Sequence, residues 1–233
     1  MPCLTAAVVD HYQLDFVTLE SIDYGISAAQ QTNRGQATTA AILSYVGKPF
    51  TILKNGKLHT TYGWQDTHSI QYPKLGRRWL GNCSIPDLDL FPARYPGVKT
   101  IRFAAGHEIA LLHAGTWVLS WLVRLGLIHN LASRAASLLR IAFAFDWMGS
   151  SRSGFHMILS GTGQNGDPHE IRYFLIAGSG HGPYIPCMPA IILTRGLANG
   201  TLSDRGAMPC LDLITLEEYT TALDDLDVSV VVE

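Results

Sequence analysis

The chain has 233 residues, 47% of them hydrophobic, with 17 basic and 19 acidic side chains and a formal charge of -2. That is enough apolar material for a folded domain with a sizeable core, and it excludes an intrinsically disordered chain. Near-neutral charge with scattered basic residues leaves no electrostatic footprint for nucleic acid. Four cysteines without a C-x-x-C pair, Cys3, Cys83, Cys187 and Cys210, argue against a metal knuckle or a disulfide scaffold and read as reduced thiols. The opening stretch carries no basic segment followed by an apolar one, so the expected location is cytoplasmic.

In chain order, Leu4, Ala7, Val8, Tyr12 and Leu14 fall at helical spacing, and the run from Phe16 switches to alternation, the mark of a strand. "QATTAAILSYVG" reads as a short helix closed by Gly47, and "PFTILKNGKLHTTY" as a hairpin with Asn55-Gly56 at its tip. Strands are expected at "HSIQY", "RRWLGNCS" and "VKTIRF", with the turn-rich "SIPDLDLFPARYPG" between them. Residues 107–147 read as a long apolar helical hairpin. "GFHMILSG" and "HEIRYFLIAG" form a second strand hairpin, followed by a helix ending near Gly200 and a last helix with Thr215 as its cap. Helices and strands mix without regular βαβ alternation, which predicts a single α+β domain over 1–233, a mostly antiparallel sheet packed against helices.

Three motifs bear on chemistry. "GTGQNG", residues 161–166, fits the dinucleotide-binding G-x-G-x-x-G, but a second strand follows it where the fingerprint needs a helix, so it reads as a hairpin loop. In "HEIALLH" the two histidines, His107 and His113, are six apart, whereas two ligands on one helical face need four, so no metal site is expected. The twenty-odd apolar residues from Ile109 suit a buried or dimer-interface helix pair, or contact with a membrane surface, despite His113 and Arg124.

Guanidinium groups beside glycine in "NRG" and "GRRW" suit planar recognition of carboxylate or phosphate, which nominates Asn33, Arg34, Arg77 and Arg78 as substrate contacts, against the alternative of ordinary surface arginines. In "GSGHGPYIP", Gly180 and Gly182 leave backbone bare before a helix, and His181 and Tyr184 can offer acid, base or hydrogen-bonding groups. A mobile connection would use the same glycines.

The run from Gly180 through Glu218, with "GHGPY", "PAIIL", "GAMPC" and "TLEE" in order, resembles the C-terminal portion of saccharopine dehydrogenase-like oxidoreductases. "RGQATTAAILSYVGKPF" and "PDLDLFPARYPGVKTIRF" are similar to the same family. The resemblance implies the substrate-binding and dimerisation domain of a two-domain enzyme whose Rossmann half binds NAD or NADP. It implies no cofactor site in this chain itself, an amino-acid-like substrate, a homodimer, and completion by a nucleotide-binding unit on a separate chain or in the same one. His181 and Tyr184 are then the acid/base candidates, and Cys210, with Arg205 close in sequence, has a structural role.

Overall fold

The structure is a computed structural model describing residues 2–204 and 206–233; Arg205 lies outside the described residues. The N-terminal helix α1 (Pro2–Tyr12) leads through a 3-10 turn into β1 (Phe16–Ala28). Next come α2 (Gln36–Tyr45) and the hairpin of β2 (Pro49–Lys54) and β3 (Lys57–Tyr62). Both tip residues of that hairpin, Asn55 and Gly56, take positive φ, the mirror-image turn that matches strand twist. A second pair, β4 (His68–Tyr72) and β5 (Gly76–Asn82), precedes α3 (Asp87–Arg94) and β6 (Thr100–His107). Helices α4 (Ala110–Arg124) and α5 (Ala135–Phe143) follow, then β7 (Ser153–Gly163) and β8 (Pro168–Ala177). The chain finishes with α6 (Met188–Ala198), α7 (Leu216–Thr221) and β9 (Val228–Val232).

Among the described residues the strands form one nine-stranded sheet with the path β3-β2-β6-β1-β7-β8-β9, β4 and β5 branching from β6. Within it β1 and β6 pair parallel, and the other strand pairs are antiparallel. The α+β class and mostly antiparallel sheet expected from the sequence are both present.

One face of the sheet holds the main core: Ile22 and Tyr24 of β1 meet Ile101 and Phe103 of β6 in register, and Met157 and Leu159 lie alongside on β7. Helices α1, α3, α6 and α7 cover this face. Helix α1 is buried from Cys3 to Val9 rather than along one stripe, because both the sheet and α7 press on it. Residues exposed along a helix set its periodicity, so a helix covered all round carries a weak amphipathic signal. Burial pushes the Cys3 thiol up to about 12, and hydrogen bonding with Cys210 adds to this. Cys210 itself packs against the core edge, a structural placement.

The opposite face has two smaller clusters. Tyr72 of β4 packs on Phe174 and Ile176, and its hydroxyl is 2.7 Å from Nδ1 of the buried His156. Nearer the end of β6, Leu43, Val46, Trp64, Val123, Leu131 and Ala135 bring α2, α4 and α5 into a separate helical cap.

The cap corrects the long helical hairpin expected over 107–147. Helix α4 has 15 residues and α5 only nine, because Gly126 takes positive φ just past α4 and the chain unwinds before a 3-10 turn at Ala132–Arg134. Helix α5 packs chiefly on α2, not as the return arm of α4. Among the described residues no helix is long and apolar enough to cross a membrane.

Two elements were not anticipated. Helix α3 arises inside the turn-rich "SIPDLDLFPARYPG", anchored by Leu88 and Phe91 at i, i+3 spacing and by the buried Asp87, which accepts the Thr5 hydroxyl at 2.6 Å. The terminal strand β9 gains its identity by pairing with β8, Tyr173 opposite Val232.

Candidate functional site

The glycine-bearing loop after β8 and the loop after β1 meet over the end of the sheet. Between them lies a cavity of about 210 Å³, lined by Ser27, Ala29 and Thr32 from the β1 end, Ser153 from the start of β7, and Gly182 and Pro183 among others. Gly182 lies close against the strand: a Cβ there would sit 2.1 Å from Ser153 Oγ, so a side chain would require that hydroxyl to turn away. Gly180 takes positive φ, and its N–H donates to Ser151 O at 3.2 Å.

His181 and Tyr184 stand in the same loop but are not among the residues lining that cavity. Nδ1 of His181 accepts the Asp227 N–H at 2.8 Å, which places the neutral ring's proton on Nε2. In that tautomer Nε2 is a hydrogen-bond donor. Tyr184 meets the ring edge-on, centroids 5.6 Å apart, and is itself exposed.

The other nominated residues separate. Asn33 is exposed on the loop after β1, while Arg34 beside it turns inward, donating from Nη2 to Gln30 O at 2.9 Å and lying 3.8 Å from Asp146 Oδ1. Alternation along β5 puts Arg77 outward and Arg78 inward. Arg78 donates from Nη2 to Glu108 Oε1 and from Nη1 to Glu108 O, each at 3.1 Å. It holds the scaffold of the site, with its side chain 9% exposed.

Glu108 is the residue that sequence reasoning undervalued. Its Oε2 accepts N–H groups of Gln30 at 2.8 Å and Ser150 at 2.9 Å, and its Oε1 accepts the Ser150 hydroxyl at 2.7 Å. Burial alone would raise this carboxyl, but the hydrogen bonds from Ser150, Gln30 and Arg78 outweigh it and hold it below the usual carboxylate range. One side chain thus ties the β1 loop to the segment before β7. The available signal was a charged residue at a strand end immediately before an apolar helix, a position where a carboxylate needs partners.

A second, larger cavity of about 440 Å³ opens in the helical cap between α2, α4 and α5. Arg34 stands on its wall, so the loop from Ala29 to Arg34 faces both cavities. His107 also lines it, stacked on Trp64 with centroids 4.9 Å apart. Burial, then the charges of His113 and Arg34, push His107 down to about 3, so its ring is neutral at physiological pH. His107 and His113 flank Trp64 at 6.4 Å centroid separation, and the described residues form no metal-binding cluster.

"GTGQNG" closes the β7–β8 hairpin, Thr162 pairing with Pro168 and Gly163 N–H donating to Asp167 O at 2.9 Å. No helix starts there, so these glycines do not form a phosphate-binding turn at a helix N-terminus.

No protein-family model matches the chain, and no curated protein does. Among solved structures, apo histidine-tagged saccharopine dehydrogenase (L-Glu forming) from Saccharomyces cerevisiae is similar over 98% of this chain and 71% of that one, with a TM-score of 0.60 and 11% identity. The chain has a saccharopine dehydrogenase-like fold.

Proposed function

We propose that this chain is the substrate-binding part of a saccharopine dehydrogenase-like oxidoreductase. In this reading an amino-acid-like small molecule occupies the cavity beside the glycine-bearing loop, with His181 and Tyr184 as polarising or acid/base groups and Asn33 and Arg34 approaching from the opposite loop. Arg77 would reach substrate only from outside the cavity, and Arg78 would act through Glu108. NAD or NADP is held by a nucleotide-binding unit other than residues 1–233, and the domain pairs as a homodimer. The observation carrying the proposal is the fold likeness over 98% of the chain, combined with a cavity beside the glycine-bearing loop that Gly182 itself lines. Fold by itself does not set chemistry, so the test is direct. Titration of the 233-residue chain with NADPH, followed by nicotinamide fluorescence, should show no saturation; micromolar binding would refute the division of labour. Light scattering should return twice the chain mass, and a monomer would remove the dimerisation role.

A second reading has its own observation. Leu111, Val118, Leu125 and Leu127 on and after α4 are exposed, and no Asp or Glu occurs from Ile109 to Phe145. An apolar, carboxylate-free surface with Trp117 and Trp121 suits noncatalytic docking on an anionic lipid surface. Flotation with phosphatidylglycerol vesicles separates the two readings: a chain that remains at the bottom of the gradient eliminates the second.

A further inference from the structure

We infer that the cavity in the helical cap is a binding site for a single-chain aliphatic carboxylate, its alkyl tail between α2, α4 and α5 and its head on Arg34. The walls argue for the tail. Helix α4 contributes Leu111, Gly115 and Leu119 at i, i+4 and i+8 spacing, with Leu112 beside them, facing Ile42 of α2 and Leu138 of α5. The volume of about 440 Å³ falls in the range of roughly 300–1,000 Å³ found for small-molecule sites.

Gly115 gives an independent indication. A glycine in a helix interior costs about 0.5–1 kcal/mol relative to alanine. Here a Cβ would meet nothing within 4 Å, so neither backbone conformation nor crowding calls for glycine. The space over it is the cavity, which a larger side chain would fill.

Charge decides the head group. The lining includes no carboxylate, and Arg34 is its cationic member among the described residues. Nη2 of Arg34 is engaged by Gln30 O and its Nε is buried, but Nη1 makes no hydrogen bond among the described residues, leaving one end of the guanidinium to receive an anion. The opposing charge is Asp146, 3.8 Å from Arg34 and already accepting Gln30 Nε2 at 2.8 Å. Thr39, His107 and Thr116 complete the polar part of the wall: Thr39 donates to Gly35 O at 3.2 Å, His107 and Thr116 are bonded to each other at 3.2 Å, and Thr116 donates to Leu112 O at 3.0 Å. A carboxylate oxygen matches the remaining Nη1 donor, and the neutral His107 adds no competing charge.

The inference does not depend on nucleotide or redox chemistry, so its failure is separate from that of the proposed function. The test is displacement of 11-(dansylamino)undecanoate from the full chain by dodecanoate and by dodecanol. Saturable displacement by dodecanoate in the micromolar range is expected, with dodecanol at least tenfold weaker. Arg34→Met should erase that tenfold preference while leaving dodecanol unchanged. Gly115→Leu should abolish binding of both while melting at or above the wild-type temperature, which separates occupancy from misfolding. Absence of saturable displacement, a Gly115→Leu variant that binds like wild type, or a probe displaced only by phospholipid vesicles would overturn the assignment.

Discussion

Replacing Glu108 by alanine removes the acceptor for two backbone N–H groups, one hydroxyl and one guanidinium at once. The Arg78 charge is then left buried without its carboxylate, since the two side chains are only 9% and 11% exposed. Breaking a buried pair from one side costs about 3–5 kcal/mol. For a chain of this size each kcal/mol moves the melting temperature by roughly 2–4 °C, so Glu108→Ala should melt about 6–20 °C below wild type. Glu108→Gln keeps the volume but turns an amide donor toward other donors, and its loss should fall between those of wild type and alanine. The pH dependence carries the sign. Because the folded carboxyl lies below its unfolded value of about 4.3, its contribution is complete above that pH and disappears as pH falls through the folded value. Glu108→Gln should therefore flatten the acid limb of stability below pH of about 4. The assay is differential scanning calorimetry from pH 3 to 7 on wild type, both variants, the single variants Arg78→Met and Glu108→Leu, and the double variant that combines these two. A Glu108→Ala variant melting within about 2 °C of wild type would refute the reasoning, as would a double variant no better than the sum of its singles.

The remaining predictions concern other parts of the fold. Both ring nitrogens of His113 are buried without hydrogen-bond partners, and burial, then the charge of His68, push it down to about 4. Its folded value lies below its unfolded one of about 6.5, so stability is lost as pH falls from there toward 4; His113→Leu should melt higher at pH 7 and lose less on acidification, read by urea denaturation at both pH values. Thr215→Ala removes the capping box of α7, in which Thr215 Oγ1 accepts the Glu218 N–H, and should cost about 1 kcal/mol by the same denaturation assay. Thiol titration with Ellman's reagent should modify the exposed Cys187 first and the buried Cys3 only on unfolding, because a thiol raised to about 12 holds almost no thiolate at pH 8.

Local pattern carried far into this fold. The Asn55-Gly56 turn, the Gly47 stop, the Thr215 cap and the β7–β8 hairpin around "GTGQNG" each rest on a few neighbouring residues, and each was legible in the chain. Of the residues nominated from composition, Gly182 lines the smaller cavity and Arg34 the larger, while Asn33, His181 and Tyr184 line neither. Glu108 escaped because its role exists only when Gln30, Arg78 and Ser150, separated by as many as 78 residues from it, converge on one carboxylate.

The sequence by itself determined the α+β class, the turn and cap chemistry and most strand positions, because those follow from φ preferences and side-chain periods acting over a few residues. Only the tertiary structure decided which apolar residues of 107–147 face the cap and which face solvent, where the helices break, and that β1 and β6 lie parallel across an intervening run of some seventy residues. Those outcomes depend on which surfaces meet, and the free energy of that meeting is fixed by burial between distant segments that no local window contains.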